Sequence, residues 1–398
     1  MRRALALVCV LCLAATARAG DGFKPLFNGK NLDGWVNVNC APSTWYVKDD
    51  MIITTGKPTG YLRTDRQYEN FILEFEWFHA PQKVRDKEIV KKSKDGKGLD
   101  IYEINVGNSG MFVWGDPIPA VGTGYTRSIE VQVLVGLRSR VPKSGELAYT
   151  SHGDLFSIWG AKCKPDRAHP LGWERCLPSE ERAKGEYEWN HYRVEGNNGV
   201  LKLSVNGKEV SGVSECNPRK GYLALESEGS ECRFKNIKIK ELPSTNPKPE
   251  EICDVDKGLV SLFTGVDLTH WKASDEHKSH WKMGDGVLSY DGKCDAKDPH
   301  LWTDKAYGDF ELVLDWRSSS KAEIGLLART PPNSPLALAG KAGPWNRSIV
   351  QVKGGKAIVT TNGTAGTPAE VAPGSVPIGL QHRGESMQFR NVFIRELK

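Results

Sequence analysis

The chain has 398 residues, 39% hydrophobic and 26% charged, with a formal net charge of +5. That length allows two ordinary domains, and the composition is that of a globular protein rather than a disordered one. The charge is diffuse and gives no case for nucleic acid: the one dense basic stretch, residues 83–97, carries seven Lys or Arg and three acids with no apolar period, as a solvated loop does.

At the N-terminus, Arg2 and Arg3 precede a short apolar run that ends in Ala17-Arg18-Ala19. A basic start, an apolar core and a small-residue site make a signal peptide, residues 1–19, cleaved after Ala19. The expectation is a protein exported to the periplasm or the extracellular space. No later stretch reaches the roughly 18 apolar residues of a membrane span. Seven cysteines follow the cleavage site. In an oxidising compartment, proximity suggests pairing Cys163 with Cys176 and Cys216 with Cys232, with an odd thiol left over.

The remaining pattern is all-β. Phe71, Leu73, Phe75 and Trp77 alternate with Ile72, Glu74 and Glu76, the period of a strand with one packed face. In residues 128–135, Ile129, Val131, Val133 and Val135 share one face, while Glu130 and Gln132 share the other with Leu134. Asn206-Gly207 lies between two apolar runs and signals a hairpin, because both residues tolerate positive φ. Many short strands punctuated by Gly and Pro predict a two-sheet sandwich.

The sequence also repeats itself. LFNGKNLDGW at 26–35 is echoed by LFTGVDLTHW at 262–271, and YLRTDRQYENFILEFEW at 61–77 by HLWTDKAYGDFELVLDW at 300–316. STWYVKDDMI (43–52) pairs with SHWKMGDGVL (279–288), and FKNIKIKEL (234–242) with FRNVFIREL (389–397). The expected organisation is a first sandwich at 20–242, a proline-bearing linker at 243–257, and a second, shortened copy at 258–398. The copies differ around residues 111–188, and the second has no counterpart of Glu130. Trp35, Trp45 and Trp77 recur in both, as does Asn190 (as Asn346), so these are expected to serve packing.

In order along the first copy stand LFNGKNLDGW, Trp45-Tyr46-Val47-Lys48, Asn108-Ser109-Gly110, Ile129-Glu130-Val131-Gln132, Glu188-Trp189-Asn190 and Val205-Asn206-Gly207-Lys208. Together with Phe234-Lys235-Asn236, this series resembles the 3-keto-disaccharide hydrolase family. The resemblance implies two concanavalin A-like jelly-roll sandwich domains and activity on sugars oxidised at C3. A C3 ketone acidifies H2, so a general base can start elimination of the C1 oxygen, and water can then add to give net hydrolysis. It also implies an oligosaccharide or 3-keto sugar as partner, supplied by a separate sugar 3-oxidoreductase acting upstream. The competing expectation is a non-catalytic, lectin-like glycan-binding protein.

Glu130 is the expected base, with Gln132 on the same strand face. An amide at that second position argues against an ordinary two-carboxylate glycosidase. His152 and Asp154, flanking Gly153, could supply a second acid–base group or ligate a divalent metal, although two ligands do not define a metal site and no cofactor is evident. Asn108 could bind sugar hydroxyls or simply make a turn. Trp114, Tyr125 and Trp159 are candidate stacking platforms, since a ring offers a flat apolar face with a polar edge.

Overall fold

The computed structural model describes residues 22–80, 89–91, 100–140, 147–150, 152–185, 187–319, 324–331, 334–381 and 385–398. The expected signal peptide and most of the basic stretch 83–97 lie outside these residues.

Strands from the first part of the chain form two nine-stranded antiparallel sheets. The outer sheet runs through Lys208–Asn217, Val200–Val205, Asn190–Asn197, Phe71–His79 and Cys232–Glu241 to Met51–Thr54 and Trp45–Lys48. The other, the site sheet, has the order Arg175–Cys176, His152–Ile158, Ser128–Arg140, Asp100–Gly115, Tyr222–Ser227, Gly60–Thr64, Trp35–Val38. As alternation predicts, Phe71, Leu73, Phe75 and Trp77 point inward and are wholly buried. They share one core with Met111, Val113, Ile129, Val131 and Val133 of the facing sheet. Each such side chain contributes roughly 1.5–3 kcal/mol by leaving water.

Strands from residues 260 onward form a second sandwich of nine and five strands around its own core, which holds Trp271, Trp281 and Trp316. Positions paired by sequence make the same bonds in both sandwiches. Trp35 Nε1 donates to Leu26 O at 3.2 Å, and Trp271 Nε1 to Leu262 O at 3.0 Å. Asn206 takes up positive φ in the expected hairpin, and its amide donates to Asn190 Oδ1 at 3.0 Å. Asn362 does the same to Asn346 at 2.8 Å. Among the described residues one short α-helix, Asp275–His280, interrupts the β-pattern.

Two expectations change. The seven described cysteines are free, buried thiols, so neither suggested disulfide forms. They act as small core hydrophobes, and burial pushes the Cys163 thiol up to about 11 and the Cys40 thiol up to about 12. Segment 243–257 is also no loose tether: it is pinned to the first sandwich by Asn70 to Pro243 O (2.7 Å), Arg219–Glu251 (2.9 Å) and Arg63–Asp256 (2.6 Å).

Candidate active site

The site is built on the non-core face of the site sheet. Cross-strand pairing sets Glu130 between Phe156 on one side and Phe112 on the other, and Phe112 in turn opposite Ala224. One step along, Gln132 lies opposite Gly110, and an isolated bridge joins Asn108 to Glu228. Strand period 2 thus puts Glu130, Gln132 and Glu226 on one surface.

Glu226 and Glu130 close over Gly110. A Cβ at that position would stand 2.9 Å from Glu226 Oε2 and 3.0 Å from Glu130 Oε1, so any larger residue would have to push the two carboxyls aside. This corrects the expectation that no second carboxylate accompanies Glu130: the second acid comes from another strand, where local spacing cannot reveal it. Glu130 is 7% exposed and Glu226 1%. Glu226 Oε2 has no hydrogen-bond partner. Burial, then the charge of Glu228, pushes the Glu130 carboxyl up to about 8, against a lowering by Arg175. Burial raises Glu226 well above the usual carboxylate range, with Glu228 and Glu130 adding to the effect. Burial also raises Glu228, but Tyr125 and Asn108 donate to it and favour its charged form. The donors thus favour charge on Glu228, while burial favours the protonated form of Glu226.

A chain of hydrogen bonds flanks these carboxyls. Asp154 Oδ2 accepts from Arg175 Nε at 2.6 Å, and Arg175 Nη2 donates to Gln132 Oε1 at 3.2 Å. Gln132 Nε2 donates to Asn108 Oδ1 at 3.0 Å, Asn108 Nδ2 donates to Glu228, and Tyr125 Oη donates to Glu228 Oε1 at 2.8 Å. The Arg175 guanidinium lies 3.8 Å over the Phe156 ring, which fixes its plane beside Glu130.

Of the residues singled out from sequence, Glu130, Gln132, Asn108 and Tyr125 come together here. Trp159, 53% exposed, stacks nearly parallel on Tyr125 with centroids 6.1 Å apart, leaving one broad aromatic face at the rim. Asp154 is wholly buried, held by Thr150 and Arg175, and meets the site through Arg175. His152 is buried, and its Nε2 accepts the Ala183 N–H at 3.3 Å. Trp114 does not line the site. Positive φ marks its backbone, its ring is wholly buried in the core against Phe71, and its Nε1 donates to Glu69 O.

Sequence reasoning missed Glu226, Glu228 and Arg175. A signal for Glu226 did exist: Leu223 and Leu225 alternate with Ala224 and Glu226 as Ile129 and Val131 do with Glu130. Among the described residues no group of three or more His, Cys, Asp or Glu is disposed to hold a metal ion. Two surface hollows lie elsewhere, one of ≈ 810 Å³ on the outer sheet beside Glu76 and His191 and one of ≈ 580 Å³ beside Ser261 and Glu396. Neither gathers adjacent buried acids, so the site sheet is the better candidate.

A β-sandwich whose non-core face holds adjacent buried carboxyls, side-chain amides and a stacked aromatic rim defines a carbohydrate-active protein. The chain belongs to the family of the 3-keto-alpha-glucoside-1,2-lyase-like domain, whose sequence model matches residues 22–240 and 258–340. Among solved structures it is similar to a proposed glycosyl hydrolase from Parabacteroides distasonis, at 21% identity over 56% of this chain and 94% of that one, with a TM-score of 0.36. It is also similar to the carbohydrate-binding module CBM66 from Bacillus subtilis (11% identity, 52% and 96% covered, TM-score 0.33). A third likeness is to the β-glucanase of Bacillus licheniformis (11% identity, 57% and 100% covered, TM-score 0.30). No curated protein matches the sequence. No helix among the described residues is long and apolar enough to cross a membrane.

Proposed function

We propose that the first sandwich cleaves glycosides already oxidised at C3, by elimination followed by hydration. The observation that carries this reading is the Glu130–Glu226 pair, two adjacent buried carboxyls with raised pKa. Glu130, with a pKa near the working pH, removes H2, and the electron pair moves onto the ketone oxygen as an enolate. Glu226, protonated and without a partner on Oε2, gives its proton to the C1 oxygen as that bond breaks. Water then adds across the resulting enone, and the sum is hydrolysis. In this reading Gln132, Asn108 and Arg175 bind sugar hydroxyls and the developing enolate, with Tyr125 and Trp159 as the stacking rim.

The second sandwich reads as a shortened, non-catalytic copy. At the site equivalent to Gly110 and Glu226 it carries Gly325 and Gln381, whose Oε1 crowds the glycine in the same way but cannot exchange a proton. Export through residues 1–19 and an upstream sugar 3-oxidoreductase belong to the same proposal.

The carboxyl pair also favours a second reading, hydrolysis of unoxidised glycosides. That chemistry needs one ionised carboxylate beside one acid, with their pKa values pushed apart. Here the member that would be the ionised one, Glu130, is pushed up to about 8, which suits a base drawing a proton from carbon and favours the elimination. The test is 3-keto-trehalose against trehalose, with and without EDTA, for wild type and Glu130→Gln. Release of reducing sugar from 3-keto-trehalose alone is expected, and is lost in the variant. Cleavage of trehalose but not of its keto form sinks the proposal, and binding with no cleavage of either leaves a lectin-like protein. Loss of activity with EDTA would assign a metal.

A further inference from the structure

The nine-stranded sheet of the second sandwich, with strands Phe310–Ser318 and Met387–Glu396, lies against the site face of the first. Val313 and Phe393 form one apolar cluster with Val38, Tyr61, Phe112 and Ala224. Glu74 and Lys238 hold the corresponding sequence positions in the first copy, are paired in the same register, and form an exposed-face ion pair at 3.0 Å. The same place in the sheet is thus ionic where it meets water and apolar where it meets the other sandwich.

Around this patch, Asp315 is wholly buried and accepts from Gly122 N (2.8 Å), Asn391 Nδ2 (2.7 Å) and Arg347 Nε (2.7 Å). Arg347 and Asn391 also donate to Pro119 O at 2.8 Å and Thr123 O at 2.9 Å. Three of these bonds therefore clamp one loop, 116–127, which carries Tyr125 of the site. Removing one partner of such a buried charge network would leave the other desolvated, so the contact is a specified one rather than an incidental touch.

The contact also decides the shape of the site. Across the strands from Glu130, the next residues on the same face are Phe112 and Ala224, and both are covered. A ligand crossing the sheet can extend toward Phe156 and Trp159 but not past Glu226.

We propose that the second sandwich is a specificity element: seated through Val313 and Phe393, it covers one end of the site face and fixes the Tyr125 loop. The site then takes a sugar unit at the end of a chain, and not an internal unit of a longer glycan. This rests on the carbohydrate site proposed above and adds the size of its substrate.

The test is V313E/F393K, which installs the ion pair that the first sandwich already tolerates. Small-angle scattering should show a larger radius of gyration, and hydrogen exchange in residues 116–127 should rise, while both sandwiches keep their far-UV spectrum. The probes are C3-oxidised maltose and maltohexaose carrying the ketone on an internal glucose, with calorimetric binding of unoxidised maltose and maltohexaose alongside. Wild type is expected to act on the oxidised maltose and to reject the internal ketone at least a hundredfold. The variant should narrow that ratio to within about tenfold, the size of a change in access rather than in chemistry. An unseated variant with an unchanged ratio overturns the inference, as does a wild type that accepts the internal ketone equally. If no ketosugar is cleaved, the proposed reaction fails, and the two calorimetric affinities decide the size inference by the same comparison. A wild type that binds neither glucan overturns both.

Discussion

Glu130 and Glu226 show how far neighbouring charge and burial move a carboxyl from its usual behaviour. With Glu130 as base, kcat/KM should rise with pH through about 8, the value to which burial and Glu228 bring it. Glu130→Gln should lower kcat about 10²–10⁴-fold with little change in KM. Glu228→Gln removes a negative charge that raises Glu130, so the rising limb should move to lower pH, as a pH–rate profile on 3-keto-trehalose would read. A limb that stays in place would mean that Glu130 is not the group titrating. Stability has its own sign. Folded, Glu130 keeps its proton up to about pH 8, whereas its ordinary value is 4.5. The folded chain therefore binds a proton that the unfolded chain has released, and Glu130 takes stability away as pH rises from 4.5 to 8. Thermal melts across that window should be flatter for Glu130→Gln than for wild type.

At the scale of the strand, alternation placed Glu130 and Gln132 on the non-core face, and it holds in the structure because Ile129, Val131 and Val133 have no other way into the core. The strand Asp100–Gly115 carries the condition that makes the site close. Gly110→Ala should cost about 1–3 kcal/mol by overpacking and should separate Glu226 from Glu130, since both reach to about 3 Å of the new methyl. Activity should fall with the fold retained, which far-UV dichroism and a denaturant midpoint can separate from unfolding. An active, undisturbed Gly110→Ala enzyme would show that the two carboxyls need not meet. Asp154 is an instructive case: read from sequence as an acid–base group, it lies under Arg175 and sets that guanidinium in place.

For the whole molecule, two separate cores are joined by a small third cluster and one buried charge network. Wild type should therefore unfold in a single calorimetric transition. V313E/F393K should show two, because each core is large enough to melt by itself once uncoupled. Two transitions in wild type would mean that the contact is too weak to couple the sandwiches, and it would weaken the case for a covered site face.

By itself, the sequence was enough for the all-β class, the paired blocks, the packing role of Trp35, Trp45 and Trp77, and the direction in which Glu130 faces. These depend on a period of two and on local turn chemistry, both written within a few neighbouring residues. The partners of Glu130 were decided only by tertiary structure. Glu226, Glu228 and Arg175 reach it across sheet neighbours that lie far away in the chain, and strand order leaves no local trace. The fate of Trp114, read as a surface platform and found in the core, was settled by a positive-φ residue at the strand's end. The seating of the second sandwich was likewise visible only in three dimensions. An exchange of Glu74 and Lys238 for Val313 and Phe393 reads as ordinary drift until the structure shows which surface covers it.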